Sequence, residues 1–198
     1  ANVGSSPRIS DCVFANNVGP DGGGGMFNFN GSNPVINNCW FLANDSAGFG
    51  GGMSNRNASN PQITGCSFSG NGASVGGGMY NYNASSPSLS ECSFEGNAAE
   101  LFGGGMYCRY SSSPTLSGCD FFDNDAGEGG GGGMYNSTFS DPTLTVCYFY
   151  GNSASSVGGA MGNITSSPTL YDCDFSSNTS DIGGGVHFGV GCNPEISN

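Results

Sequence analysis

The sequence predicts an all-β fold, a right-handed parallel β-helix, and three observations predict it. Prolines recur at near-constant spacing: Pro7, Pro34, Pro61, Pro87, Pro114, Pro142, Pro168 and Pro194 lie 27, 27, 26, 27, 28, 26 and 26 residues apart. Each of the first seven prolines heads the same ordered set of residue types. Within each set apolar and polar residues alternate at period two, and no stretch sustains a 3.6-residue apolar pattern. A unit of this length cannot bury its apolar face alone, but stacked copies can, so self-similarity at this period means a solenoid.

The elements follow in order. Two residues after each proline comes an aliphatic: Ile9, Ile36, Ile63, Leu89, Leu116, Leu144, Leu170 or Ile196. Next is a cysteine column, Cys12, Cys39, Cys66, Cys92, Cys119, Cys147 and Cys173, with phenylalanine two residues further on at Phe14, Phe41, Phe68, Phe94, Phe121, Phe149 and Phe175. Three residues beyond stands Asn17, Asn44, Asn71, Asn97, Asn124, Asn152 or Asn178. A Gly-rich turn then leads into Met26, Met53, Met79, Met106, Met134, Met161 or Val186. This reads as three short strands per rung, in about seven rungs of 26 to 28 residues. Rungs stacked at the ~4.8 Å spacing of paired strands make a rod roughly 30 to 35 Å long. Parallel crossovers are overwhelmingly right-handed, which sets the expected hand. The whole of 1–198 reads as one β-helix domain, open at both ends. A Gly-rich solenoid of the leucine-rich type is the alternative architecture.

Two columns have a mechanical reading. An Asn at one turn of every rung can donate and accept amide bonds up and down the stack. A second column, Asn28, Asn55, Asn81, Asn136 and Asn163, follows the Met by two residues and is interrupted by Cys108 and Phe188. The cysteines read as a buried file of small apolar thiols, with inter-rung disulfides as the alternative in an oxidising compartment.

Composition bounds the partners. There are 15 acidic residues against three arginines (Arg8, Arg56 and Arg109), for a net charge of −12. Such a chain repels nucleic acid and anionic membranes. No run of 18 apolar residues occurs, so no transmembrane helix and no direct membrane insertion is expected.

The Phe-x-x-Asn and Gly-Gly-Gly-Met motifs together resemble the repeats of the chlamydial polymorphic outer membrane proteins. Phe14 to Asn17 and every later copy match the first motif, and Gly158-Gly159-Ala160-Met161 is nearest to the second. The other copies carry Gly for Ala and mostly Met for the branched aliphatic. The resemblance implies a β-helix used as a surface-exposed adhesin passenger.

Function must be sought in the outward positions, because packing does not fix them. Phe27, Phe29, Trp40, Tyr80, Tyr82, Tyr107, Arg109, Tyr135, Tyr148 and Tyr150 form the candidate interaction face, expected to point outward and to meet protein or sugar rings. Asn30, Asn57, Asn83, Asn136 and Asn163 are candidate N-glycosylation sites, each opening an Asn-x-Ser/Thr sequence. Asp120, Asp123 and Asp125 are a candidate Ca²⁺ site; no other cofactor and no other metal is expected. No rung departs from the pattern to build a catalytic cleft, so no enzyme is expected and no catalytic residue is assigned.

The expected function is therefore an extracellular structural or surface repeat protein, secreted or held at the cell surface. It would self-associate through the helix ends or the aromatic faces, as a filament subunit or fibre segment. The alternative is an adhesin or glycan-binding passenger that meets glycans or a cell-surface protein of a host. A polysaccharide-degrading enzyme and an ice-binding protein rank below both.

Overall fold

The computed structural model describes residues 1–198 as strands and turns with no helix. The strands stack into four parallel sheets of eight, eight, seven and six strands, and each neighbour comes from the adjacent rung. The methionine sheet begins Asn2–Val3, Met26–Phe29, Met53–Arg56. An aliphatic sheet begins Arg8–Ser10, Val35–Asn37, Gln62–Thr64. A phenylalanine sheet begins Val13–Ala15, Trp40–Leu42, Ser67–Ser69. The fourth sheet was not expected from three strands per rung. It includes Asp45–Phe49, Gly72–Val75 and Ala98–Phe102, between the Asn column and the Gly-rich turn. The count per rung is corrected accordingly: the first rungs carry four short strands.

Identical residues sit directly above one another. Met79 pairs with Met53 and Met106, Ile63 with Ile36 and Leu89, and Phe68 with Phe41 and Phe94. The seven phenylalanine rings form one continuous stack, with centroids 4.5 to 4.9 Å apart. The step between rungs imposes that separation, and the rings respond by lying nearly parallel. Methionine, aliphatic, cysteine and phenylalanine columns together make the core.

Corners are made by single residues in the left-handed region, such as Asn38 (φ 51°) and Ala43 (φ 50°). The Gly-rich turn has a steric cause. Gly50 has φ 66°, and a Cβ on Gly51 would stand 2.3 Å from the Gly72 carbonyl oxygen of the next rung. No side chain fits between backbones that close.

The cysteines lie in the core as free thiols, apart from the exposed Cys12 and the half-buried Cys173 and Cys192. Each column thiol is tied to the backbone: the Cys39 N–H donates to Cys66 Sγ at 3.3 Å, and the Cys39 thiol donates to the Asn37 carbonyl at 3.2 Å. Desolvation raises the Cys66 thiol to about 11. A serine column, from the small polar pair before each proline, runs beside them. Ser32, Ser59, Ser85, Ser112, Ser140 and Ser166 are buried. Ser59 Oγ, for example, donates to the Arg56 carbonyl at 2.8 Å and accepts from the Ser32 N–H at 3.2 Å.

Candidate functional site

The inward polar columns hold the coil together. In the first asparagine ladder Asn44 donates from Nδ2 to Asn71 Oδ1 at 3.0 Å and to the Phe14 carbonyl at 2.8 Å. Its backbone N–H donates to the same Asn71 oxygen at 3.0 Å. The pattern repeats at Asn71, Asn97, Asn124 and Asn152, and the ladder runs from the exposed Asn17 to the half-buried Asn178. These residues are structural, as the spacing predicts.

The second ladder overturns two glycosylation expectations. Asn136 and Asn163 are fully buried and joined by a 2.9 Å amide bond inside the coil. No glycan fits there; both belong to the packed column, and the Asn-x-Thr pattern at them follows from the repeat. Asn30, Asn57 and Asn83 stand at left-handed corners with φ 55°, 57° and 55°. Their side chains form a separate solvent-facing ladder, with Asn57 donating to Asn30 at 3.2 Å and Asn83 to Asn57 at 3.0 Å.

The candidate interaction face divides. Tyr80, Tyr107 and Tyr135 do point away from the core, yet only 2%, 5% and 6% of their surface is exposed. This corrects their outward assignment. The last residues of two fourth-sheet strands, Val75 and Phe102, and Val157 beyond a third pack over these rings. Tyr107 hydroxyl also reaches Ser137 Oγ at 3.1 Å. Phe27, Phe29, Tyr82 and Arg109 are half-buried, whereas Trp40, Tyr148 and Tyr150 are 44%, 46% and 51% exposed.

Beside the roofed tyrosines lies a cleft of about 270 Å³ lined by Phe49, Arg56, Tyr80, Tyr82 and Arg109. Two of the three cations of the chain meet there. Arg56 lies over the Phe49 ring at 4.4 Å and the Tyr80 ring at 5.6 Å. Its hydrogen bonds go to the Asp21 carbonyl at 2.9 Å and the Ser54 hydroxyl at 3.1 Å. Arg109 lies 4.6 Å from the Tyr110 ring and donates to that hydroxyl. Neither guanidinium hydrogen-bonds a carboxylate. Partial burial lowers the pKa of Arg56, by desolvation of its charge.

On the phenylalanine sheet a second cleft, about 410 Å³, is lined by Asp120, Phe122, Tyr148, Tyr150, Asp174 and Ser176. Desolvation pushes the Asp120 carboxyl up. No cation lines this cleft. The Ca²⁺ expectation at Asp120, Asp123 and Asp125 is corrected by placement. Asp120 is in the phenylalanine sheet, Asp123 at the corner after it (φ 50°), and Asp125 in the fourth sheet, where it accepts from Ser153. Strand alternation and the corner send the three carboxylates apart, and no three His, Cys, Asp or Glu side chains group to hold a metal.

The two clefts are aromatic, opposite in charge and on different faces. Such surfaces can seat a ring or an apolar stem and add charge-assisted hydrogen bonds at its rim. The family model described as the right-handed β-helix region matches residues 46–164, more than half of the chain. No curated protein matches the chain, and no solved structure does.

Proposed function

We propose that this chain, which belongs to the right-handed β-helix family, is a non-catalytic structural repeat protein that self-associates outside the cell through its lateral aromatic faces. One observation carries the reading: a single rod of net charge −12 places two unpaired arginines in one ring-lined cleft and two carboxylates in another. Aromatic rings with exposed charged rims are the composition of association surfaces. The likeness of its repeats to those of chlamydial surface passengers agrees with a role at the cell surface by analogy. Sedimentation velocity over a hundredfold range of concentration tests it. A sedimentation coefficient rising with concentration is expected; a strict monomer throughout overturns the reading.

Glycan binding is the second reading, favoured by one feature. Tyr148 and Tyr150 are exposed beside Asp120 and Asp174, so rings that can stack on a sugar stand next to acceptors for its hydroxyls. Titrating a panel of oligosaccharides by NMR separates the two. Saturable shifts that vanish in Tyr148→Ala support glycan binding, and their absence removes it.

A further inference from the structure

Two triads on different faces of the rod share one step and have opposite charge. In the methionine sheet Tyr82 pairs with Arg56 on one side and Arg109 on the other. In the phenylalanine sheet Tyr148 pairs with Asp120 on one side and Asp174 on the other. Each triad therefore reads charge, tyrosine, charge over two rung steps. At ~4.8 Å per step the outer backbones of each are about 9.6 Å apart.

We infer that these triads are the two halves of one contact between copies of the chain, with Asp120 and Asp174 of one copy facing Arg109 and Arg56 of the next. This rests on the self-association proposed above and names its geometry. A second copy carries carboxylates whose backbones lie two strand steps apart, as those of the two arginines do.

The shapes of the two patches also match. Tyr148 stands between the two carboxylates with 46% of its surface exposed. The cleft that both arginines line together with Phe49, Tyr80 and Tyr82, about 270 Å³, has room for one phenol ring over Tyr82. The tyrosine enters as a knob while the charges close around it. Guanidinium groups already resting on aromatic rings keep their outer N–H groups for a carboxylate.

The remainder of the surface is acidic or uncharged apart from Arg8, so a carboxylate pair has no better site on a second copy. The two patches differ, so the contact is heterologous, and each added copy presents both halves again. The result is a ring where the rotation between copies closes and an open array where it does not.

Complementary charge reversal tests this. One variant carries Arg109→Glu, the other Asp120→Arg with Asp174→Arg. Each should stay monomeric at concentrations where the native chain associates, a loss of at least tenfold in affinity. Mixed in equal amounts they should form a one-to-one dimer that grows no further, because only one contact between them keeps matched charges. Dimer formation by the mixture also establishes that both variants fold. Should either variant melt below the native chain, Asp174→Asn and Tyr148→Ala are measured in its place, and each should weaken association. Variants that associate as tightly as the native chain, or a mixture that stays monomeric, overturn the triad contact while self-association itself stands. A native chain that never associates removes both.

Discussion

Two asparagine ladders climb the same coil, and they differ in how each amide is used. In the first, every interior Asn donates to the next amide and to a phenylalanine carbonyl, and its oxygen accepts two bonds from the rung before. In the second, each Asn passes a single bond along: Asn28 to Asn55 at 2.8 Å, then Asn55 to Asn81 at 2.9 Å. That file then stops. Cys108 takes the next place, accepting from Asn81 at 3.5 Å through sulfur, and Asn136 Oδ1 is left as a buried oxygen without a partner. The first ladder ties side chain to backbone at a corner, where a strand end would otherwise have unpaired groups. The second lies in mid-strand, where the sheet already satisfies the backbone. A break is therefore tolerable in the second ladder and costly in the first.

The largest effect should come from Asn97→Ala. It strands the Asn71 backbone N–H and one Asn71 Nδ2 hydrogen in the core and takes one donor from the Phe68 carbonyl, and at about 1–3 kcal/mol per buried orphan the loss should reach about 3–5 kcal/mol. Urea melts followed by circular dichroism would read it; a loss no greater than that of Asn55→Ala would erase the distinction between the ladders. Asn55→Ala should cost about 2 kcal/mol, because only Asn28 Nδ2 and Asn81 Oδ1 lose partners.

A third effect depends on pH. Burial pushes the Cys108 thiol up to about 12, against about 8.5 in an unfolded chain. Its contribution is complete below the unfolded value. As pH rises between the two values the unfolded state sheds the proton and the folded state keeps it, so stability falls. Replacing Cys108 should flatten the decline above pH 9 by up to about 1.4 kcal/mol per pH unit. Melting temperatures at pH 8, 9, 10 and 11 test this, and parallel curves for the two proteins would refute it. The smallest effect is a gain at neutral pH. Cys108→Asn completes the file and gives Asn136 Oδ1 its donor, adding about 1 kcal/mol. A loss of stability there would mean that the column has no room for a continuous ladder at this rung.

What could be read from the sequence follows the same division between repeated and unrepeated positions. The phenylalanine, methionine and first asparagine columns were legible because the same residue type returns at each rung. The fourth sheet was not. Its inward position holds Gly19, Ser46, Ala73, Ala99, Ala126 and Ala154, residues too small to register as an apolar signal. The burial of Tyr80, Tyr107 and Tyr135 was hidden for a related reason. Alternation correctly directs these rings away from the core, but the segment that covers them varies in length and composition from rung to rung. Asn136 and Asn163 carried two patterns at once, the ladder and the glycosylation signal, and burial decides between them. The two charged triads could have been found by aligning rungs and reading outward columns for charge, since register alone brings Arg56, Tyr82 and Arg109 into line.

The inter-rung backbone bonds also have a mechanical consequence. Bonds such as Trp40 N–H to the Cys12 carbonyl run along the rod axis from one rung to its neighbour, each at 2.9 to 3.0 Å across the phenylalanine sheet. Pulling on the two ends loads one interface at a time, so the coil should peel instead of shearing. Each rung that lets go frees 26 to 28 residues, roughly 90 to 100 Å of slack at ~3.3–3.6 Å per residue. The rod would yield under tension in equal instalments, as a spring that lengthens many times over before its last turns give way.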